Sequence, residues 1–131
     1  MSLRAAVIII KNEKILLMHR RKNSLEYFTV PGGTIEEGET SQLAAVREIR
    51  EETGLNVEIG ELFFEFDGAR GHEYFFMAKN ISGQEKLGGP EMERNCEENF
   101  YELSWVSFDE LLGTDLKPQE IKDEITGYFL K

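Results

Sequence analysis

"GTIEEGETSQLAAVREIREETGL" (33–55) divides into a glycine-rich entry and a charged helix. From 40 to 53 the apolar residues return at helical spacing, with Val46, Ile49 and Thr53 on one side together with Ala45. Thr40 or Ser41 supplies the N-cap oxygen, and Gly54 is the stop. The same helix carries Glu48, Glu51 and Glu52 at spacings of three and four, which puts them on one face, away from Val46. Like charges at these spacings repel by about 0.2–0.5 kcal/mol per pair. Helix formation alone gives no reason to crowd them.

A run of charge is ordinarily a solvated face, and Arg47 and Arg50 stand close enough to quench it. A bound cation is the other reading. Hard divalent ions prefer carboxylate oxygens, and Mg²⁺ takes a few protein ligands together with waters and substrate phosphates. The D-x-[DN]-x-[DN]-G ladder of an EF-hand is absent. "GTIEEGET" (33–40) comes close to the phosphate-loop pattern G-x4-G-K-[ST], but Glu39 stands where the lysine belongs. An acid there cannot balance phosphate charge, which rejects that class of nucleoside triphosphatase. Gly32 and Gly33 permit close approach of the chain.

Outward from this segment, strands are expected over 4–10, 15–21, 27–30, 55–67, 72–80 and 101–108. "KNEK" (11–14) reads as a hairpin turn, "KNSLE" (22–26) as a loop, "PGGTIEEGE" (31–39) as a glycine-rich loop and "GARG" (68–71) as a connection. A short helix is expected at Asp109–Leu112 and a terminal one at Pro118–Leu130. Residues 81–100 form a long polar segment, of a kind that is often functional. Strands with helices interspersed give an α/β (α+β) class. A chain of 131 residues, 40% hydrophobic, fits a single domain over 1–131.

The net charge of −10 is uneven: residues 1–50 carry eight basic and six acidic groups, and residues 51–131 carry seven and nineteen. Such a chain is a poor general binder of polymeric nucleic acid. Any phosphate it handles must be met locally, through a metal or a small basic patch. The apolar run Ala5–Ile10 is too short for a membrane span or a signal-peptide core, and reads as a buried strand. The one cysteine, Cys96, forbids an internal disulfide and fits a reducing cytoplasm.

The spacing Gly33, five residues, Glu39, seven residues, Arg47-Glu48-Ile49-Arg50-Glu51-Glu52-Thr53-Gly54-Leu55 resembles the Nudix box, G-x5-E-x7-R-E-U-x-E-E-x-G-U, at all nine of its defined positions. Ile49 and Leu55 fill the bulky aliphatic places. "FTVPGG" before the box and "WVSFDEL" near the end also resemble a small MutT-like Nudix domain. The resemblance implies a mixed β-sheet sandwiched between α-helices, and hydrolysis of a nucleoside diphosphate linked to another group. By position it implies that Glu51 and Glu52 are the main ligands of Mg²⁺ or Mn²⁺, with Glu48 as third ligand or general base. It makes the Gly32 carbonyl a backbone ligand, Glu39 an outer partner, and Arg47 the residue that orients the glutamates; Gly33 is a candidate substrate-binding residue.

Beyond the box, Arg20 and Arg21 are candidates for a phosphate clamp, and strand alternation lets only one of them face the site. One of Tyr27 and Phe28 packs in the core while the other stacks on a base; Phe28 is the candidate for the second role. Glu97 or Glu98 is a candidate for the further carboxylate that family members often supply from beyond the box; Glu98 is carried as the substrate-side candidate. "HEYFF" is not H-E-x-x-H, so His72 is read as a strand residue. Tyr74 lies near the place where dinucleoside-polyphosphate hydrolases carry a tyrosine. The proline common in ADP-ribose hydrolases is missing from 66–71. The expected substrate is therefore a nucleoside triphosphate, modified or not, cut to monophosphate and pyrophosphate. Hydrolysis of ADP-ribose or of a dinucleoside polyphosphate is the alternative, as is a non-catalytic nucleotide-sensing Nudix domain. The expected partner is a small nucleotide, with no membrane, and the chain is a monomer or homodimer.

Overall fold

The apolar run "AAVIII" explains the centre of the molecule. In the computed structural model of the protein, which describes residues 3–86 and 99–130, β1 (Leu3–Ile8) holds Ala5, Val7 and Ile8 at 0% exposure. A strand covered on both faces has no polar side to alternate with, hence the unbroken run. Ala5, Val7 and Ile9 pack one way, with Leu16, Ala44, Ala45 and Ile49. Ala6 and Ile8 pack the other way, with Ile15, Leu17, Phe75 and Ile121.

The turns set the strand order. Asn12 and Glu13 have φ of 52° and 61°, and Asn23 and Ser24 have 48° and 70°. Two left-handed residues in succession make a turn whose twist matches a hairpin. So β2 (Ile10–Lys11) reverses into β3 (Lys14–Lys22), and β3 into β4 (Leu25–Thr29). The segment 31–39, expected as loop throughout, instead opens with a short strand, β5 (Gly32–Thr34), antiparallel to β1. A Cβ at Gly32 would collide with the Ala5 carbonyl oxygen, so only glycine allows this approach.

Helix α1 (Ser41–Thr53) follows, then the long hairpin β6 (Asn56–Gly68) and β7 (Gly71–Ser82). The first sheet runs β5-β1-β7-β6, with β1 and β7 parallel. In the second sheet β3 is central. β8 (Asn99–Ser107) pairs with it from Lys14 to Lys22, so β2 and β4 must share its other edge. The chain ends with α2 (Phe108–Leu111), β9 (Leu116–Lys117) parallel to β4, and α3 (Gln119–Phe129). α1 covers one side of the sheets, and α2 and α3 the other. The expected sandwich is thus a mixed α+β fold with two sheets rather than one. The long segment expected over 81–100 is shorter at both ends, because β7 runs to Ser82 and β8 starts at Asn99. Cys96, Glu97 and Glu98 lie outside the described residues. No helix among the described residues is long and apolar enough to cross a membrane.

Candidate active site

Helix α1 is fixed at both ends by its own sequence. The Thr40 hydroxyl accepts from the Leu43 N–H at 3.1 Å, and Gly54, at φ 76°, turns its N–H back to the Arg50 carbonyl. Ala44, Ala45 and Ile49 are fully buried against β1. That anchoring sets where the glutamates go, and they do not share one solvated face. Glu51 is exposed, Glu48 has a side chain 16% exposed, and Glu52 is buried at 6% beside Thr53.

Arg47 organises the rest. Its Nε and Nη2 donate to the two oxygens of Glu39 at 2.7 and 2.9 Å. Nη1 donates to Glu48 at 2.9 Å and to Glu51 at 3.2 Å, and Nη2 also reaches the Thr34 carbonyl at 3.0 Å. A planar fork of five N–H groups suits such a task, and a lysine could not replace it. The Arg47 hydrogen bonds, helped by the Glu36 N–H, hold the Glu39 carboxyl down at about 2. The hydrogen bonds to Glu39 first, and then to Glu48, raise the pKa of Arg47, so it stays charged. The Glu48 carboxylate lies against the bare α-carbon of Gly33, where a Cβ would come within 2.7 Å of its Oε1 and closer still to its other carboxyl atoms.

Nudix hydrolases generally use divalent metal cations. The residues here fit one by chemistry: carboxylates on successive turns of one helix, one of them buried, are a hard-oxygen donor set. Among the described residues no three His, Cys, Asp or Glu side chains already converge as a metal cage.

The other expected residues are dispersed. Arg20 and Arg21 lie on opposite faces of β3. Arg20 donates to the Tyr101 hydroxyl at 2.7 Å and sits over the rings of Tyr101 and Tyr27, at 4.4 and 5.6 Å. Arg21 sits over Phe100 at 4.8 Å. Phe28 packs against the core and stacks on His19, with centroids 4.5 Å apart. Tyr74 packs with the α1-side core and meets the His72 ring edge-on at 4.8 Å. Glu98 is outside the described residues.

Sequence reasoning missed Glu73 and its two arginines. Glu73 is 3% exposed, accepts from Arg70 Nη2 at 2.8 Å and pairs with Arg4 at 3.7 Å. Burial first, and then Arg70, push the pKa of Arg4 down; Glu73, Glu52 and Glu48 push it up. The available signal was a charged residue at the head of an apolar strand.

The NUDIX domain family matches residues 1–126. Over 88 residues the chain is 41% identical to an ADP-ribose pyrophosphatase of Methanocaldococcus jannaschii, covering 62% of this chain and 52% of that protein. The chain thus spans about half the length of that relative. Over 93 residues it is 34% identical to an 8-oxo-dGTP diphosphatase of Escherichia coli, covering 63% of this chain and 70% of that one. The solution structure of the Escherichia coli ORF135 protein superposes with a TM-score of 0.74 at 26% identity, over 96% of this chain and 89% of that one. With a complete box running from β5 through α1 to Leu55 and a family match along nearly its whole length, the chain belongs to the Nudix family.

Proposed function

We propose that this chain is a metal-dependent Nudix pyrophosphohydrolase, and that its substrate is a nucleoside triphosphate, modified or not, cleaved to monophosphate and pyrophosphate. The observation that carries the reading is the Arg47 fork, which gathers Glu39, Glu48 and Glu51 beside the buried Glu52. Glu51 and Glu52 would be the main ligands of Mg²⁺ or Mn²⁺, with the Gly32 carbonyl completing the set from the protein side and Glu48 left as the general base. A bound divalent ion screens phosphate oxygens and lowers the pKa of a coordinated water.

The chain's residues do the rest. Arg47 fixes Glu48 and Glu51 at defined positions, which limits the reorganisation needed at reaction. Glu48, held against Gly33, accepts the proton of the attacking water. The water oxygen forms its bond to phosphorus as the bridging oxygen leaves with pyrophosphate. An acidic protein can bind an acidic substrate in this way, because the attraction is local.

A second reading is hydrolysis of ADP-ribose to AMP and ribose 5-phosphate. It is favoured by the 41% identity to an ADP-ribose pyrophosphatase. Chromatography of the products from a panel of nucleoside triphosphates, ADP-ribose and dinucleoside polyphosphates with Mg²⁺ tests both. Monophosphate and pyrophosphate from a triphosphate support the first reading, and turnover of ADP-ribose alone replaces it with the second. No turnover of any member leaves a nucleotide-sensing domain instead.

A further inference from the structure

A diphosphate needs positive charge from the protein as well as from an ion, and Arg47 has little left to give. Its guanidinium is shared among Glu39, Glu48 and Glu51 by hydrogen bonds, with Glu36 a further 3.5 Å contact. Arg4, Arg70 and Glu73 differ in their balance, since two guanidiniums share one carboxylate. Both approach the same oxygen, Oε1, Arg70 at 2.8 Å and Arg4 at 3.7 Å. The group keeps one unit of positive charge.

Position gives that charge a use. Arg4 lies on β1 opposite Thr34, whose carbonyl Arg47 holds, and it feels the charges of Glu48 and Glu52. Arg70, in the β6–β7 turn, has a side chain 46% exposed and lines a cavity of about 280 Å³ with Tyr27, Thr29, Lys117 and Pro118. Glu73 is therefore the pivot between the carboxylates of α1 and an open cavity where Arg70 meets one further cationic side chain, Lys117. A buried carboxylate with no catalytic partner would be an expensive ornament, because desolvating it costs several kcal/mol unless it is well paired.

From this placement we infer that Glu73 is a positioning residue: it holds Arg4 and Arg70 as a two-arginine clamp for the phosphate groups of the nucleotide. The inference rests on the proposed site at α1, but not on turnover. Guanidinium forks recognise phosphate oxygens in pairs, and fixing them in advance reduces the ordering cost on binding.

The test is equilibrium binding of α,β-methylene ATP, with Mg²⁺, to the full chain and its variants, alongside steady-state kinetics on the best substrate. Arg70→Gln should raise Kd about tenfold or more, the loss of one charge-assisted hydrogen bond. Glu73→Gln should do the same, and the double variant should be no worse than the weaker single one, because Glu73 acts through the arginines. KM should rise in step while kcat stays within about threefold, the pattern of lost ground-state binding. Arg70→Lys should recover part of the affinity, having charge without the fork. Unchanged Kd in Arg70→Gln overturns the inference, as does a double variant whose losses multiply. Should Glu73→Gln fail to fold, Arg4→Gln and Arg70→Gln decide: raised Kd in both upholds the clamp, and unchanged Kd in either overturns it. A wild-type protein that binds the analogue tightly yet hydrolyses nothing refutes the enzymatic reading and leaves the clamp standing. One that hydrolyses nucleotides while all the variants bind alike refutes only the clamp. A wild-type protein that binds no nucleotide refutes both.

Discussion

Gly32 and Gly33 are neighbours in one short strand, yet replacing them should have opposite consequences. A Cβ at Gly33 meets the carboxylate of Glu48, the far end of a flexible side chain. A Cβ at Gly32 meets the Ala5 carbonyl oxygen and the Ala6 Cα at 2.5 Å, which are backbone and cannot swing aside. In Gly33→Ala the Glu48 carboxylate must leave its place, and its 2.9 Å bond from Arg47 is lost or redirected. That pair is partly shielded, so its loss costs about 0.5–1 kcal/mol. At this chain length that corresponds to a fall in Tm of about 2–5 °C. Activity should suffer far more, because moving a reacting group by about 1 Å costs about 100-fold in rate. Gly32→Ala forces β5 from β1 and should cost about 1–3 kcal/mol, with a correspondingly larger fall in Tm. Calorimetric melts and kcat/KM of the two variants, measured side by side, check this. A Gly33→Ala protein with wild-type kcat/KM would refute the reasoning, and so would one destabilised as much as Gly32→Ala.

The remaining predictions concern charge and packing. Glu39 has a carboxyl held down to about 2, first by the Arg47 hydrogen bond. Its contribution should therefore be complete above the ordinary value of 4.5 and vanish as pH falls towards 2, so that Glu39→Gln flattens that limb of a Tm–pH curve. His72 has its pKa raised above 6.5, first by Asp67 and then by Glu65. Its pairing should be fully present below 6.5 and lost as pH rises through the raised value; an NMR titration should show Asp67→Asn moving His72 back towards 6.5. Ile49 is fully buried between α1 and β1, so Ile49→Ala should cost about 2–5 kcal/mol in denaturant unfolding.

Helix α1 was legible because its information is local. The 3.6-residue pattern lies within it and Thr40 and Gly54 directly flank it, and its observed limits differ from the expected ones by one residue. The first hairpin turn was legible at Asn12, a residue that tolerates positive φ; the second, confined to Asn23 and Ser24, was expected only as part of a loop over 22–26, which β3 and β4 shorten from both sides. β5 was hidden, because two glycines and a threonine have no strand pattern; what makes the strand is the space a glycine leaves beside β1. The burial of Glu52 was hidden too, since helical spacing groups it with Glu48 and Glu51 but does not say where the sheet's cover ends. The Arg4–Glu73 pair depends on the register between two parallel strands far apart in the chain, which no local pattern encodes. Phe28 looked available for stacking from sequence, but the register of β3 against β4 sets it opposite His19.

The central claim is that the α1 glutamates hold a divalent ion for phosphoanhydride hydrolysis. The most direct measurement is kcat on the best nucleotide of the panel for wild type and Glu52→Gln, each with Mg²⁺ and each with a chelator. Glutamine keeps the volume of this buried side chain and removes the charge that would hold the ion. Wild type should be active only with Mg²⁺, and Glu52→Gln, still folded, should lose about 100-fold or more, the scale for removing a preorganised group that stabilises charge in the transition state. Chelator-insensitive turnover by the wild type, or a wild-type rate in Glu52→Gln, would contradict it.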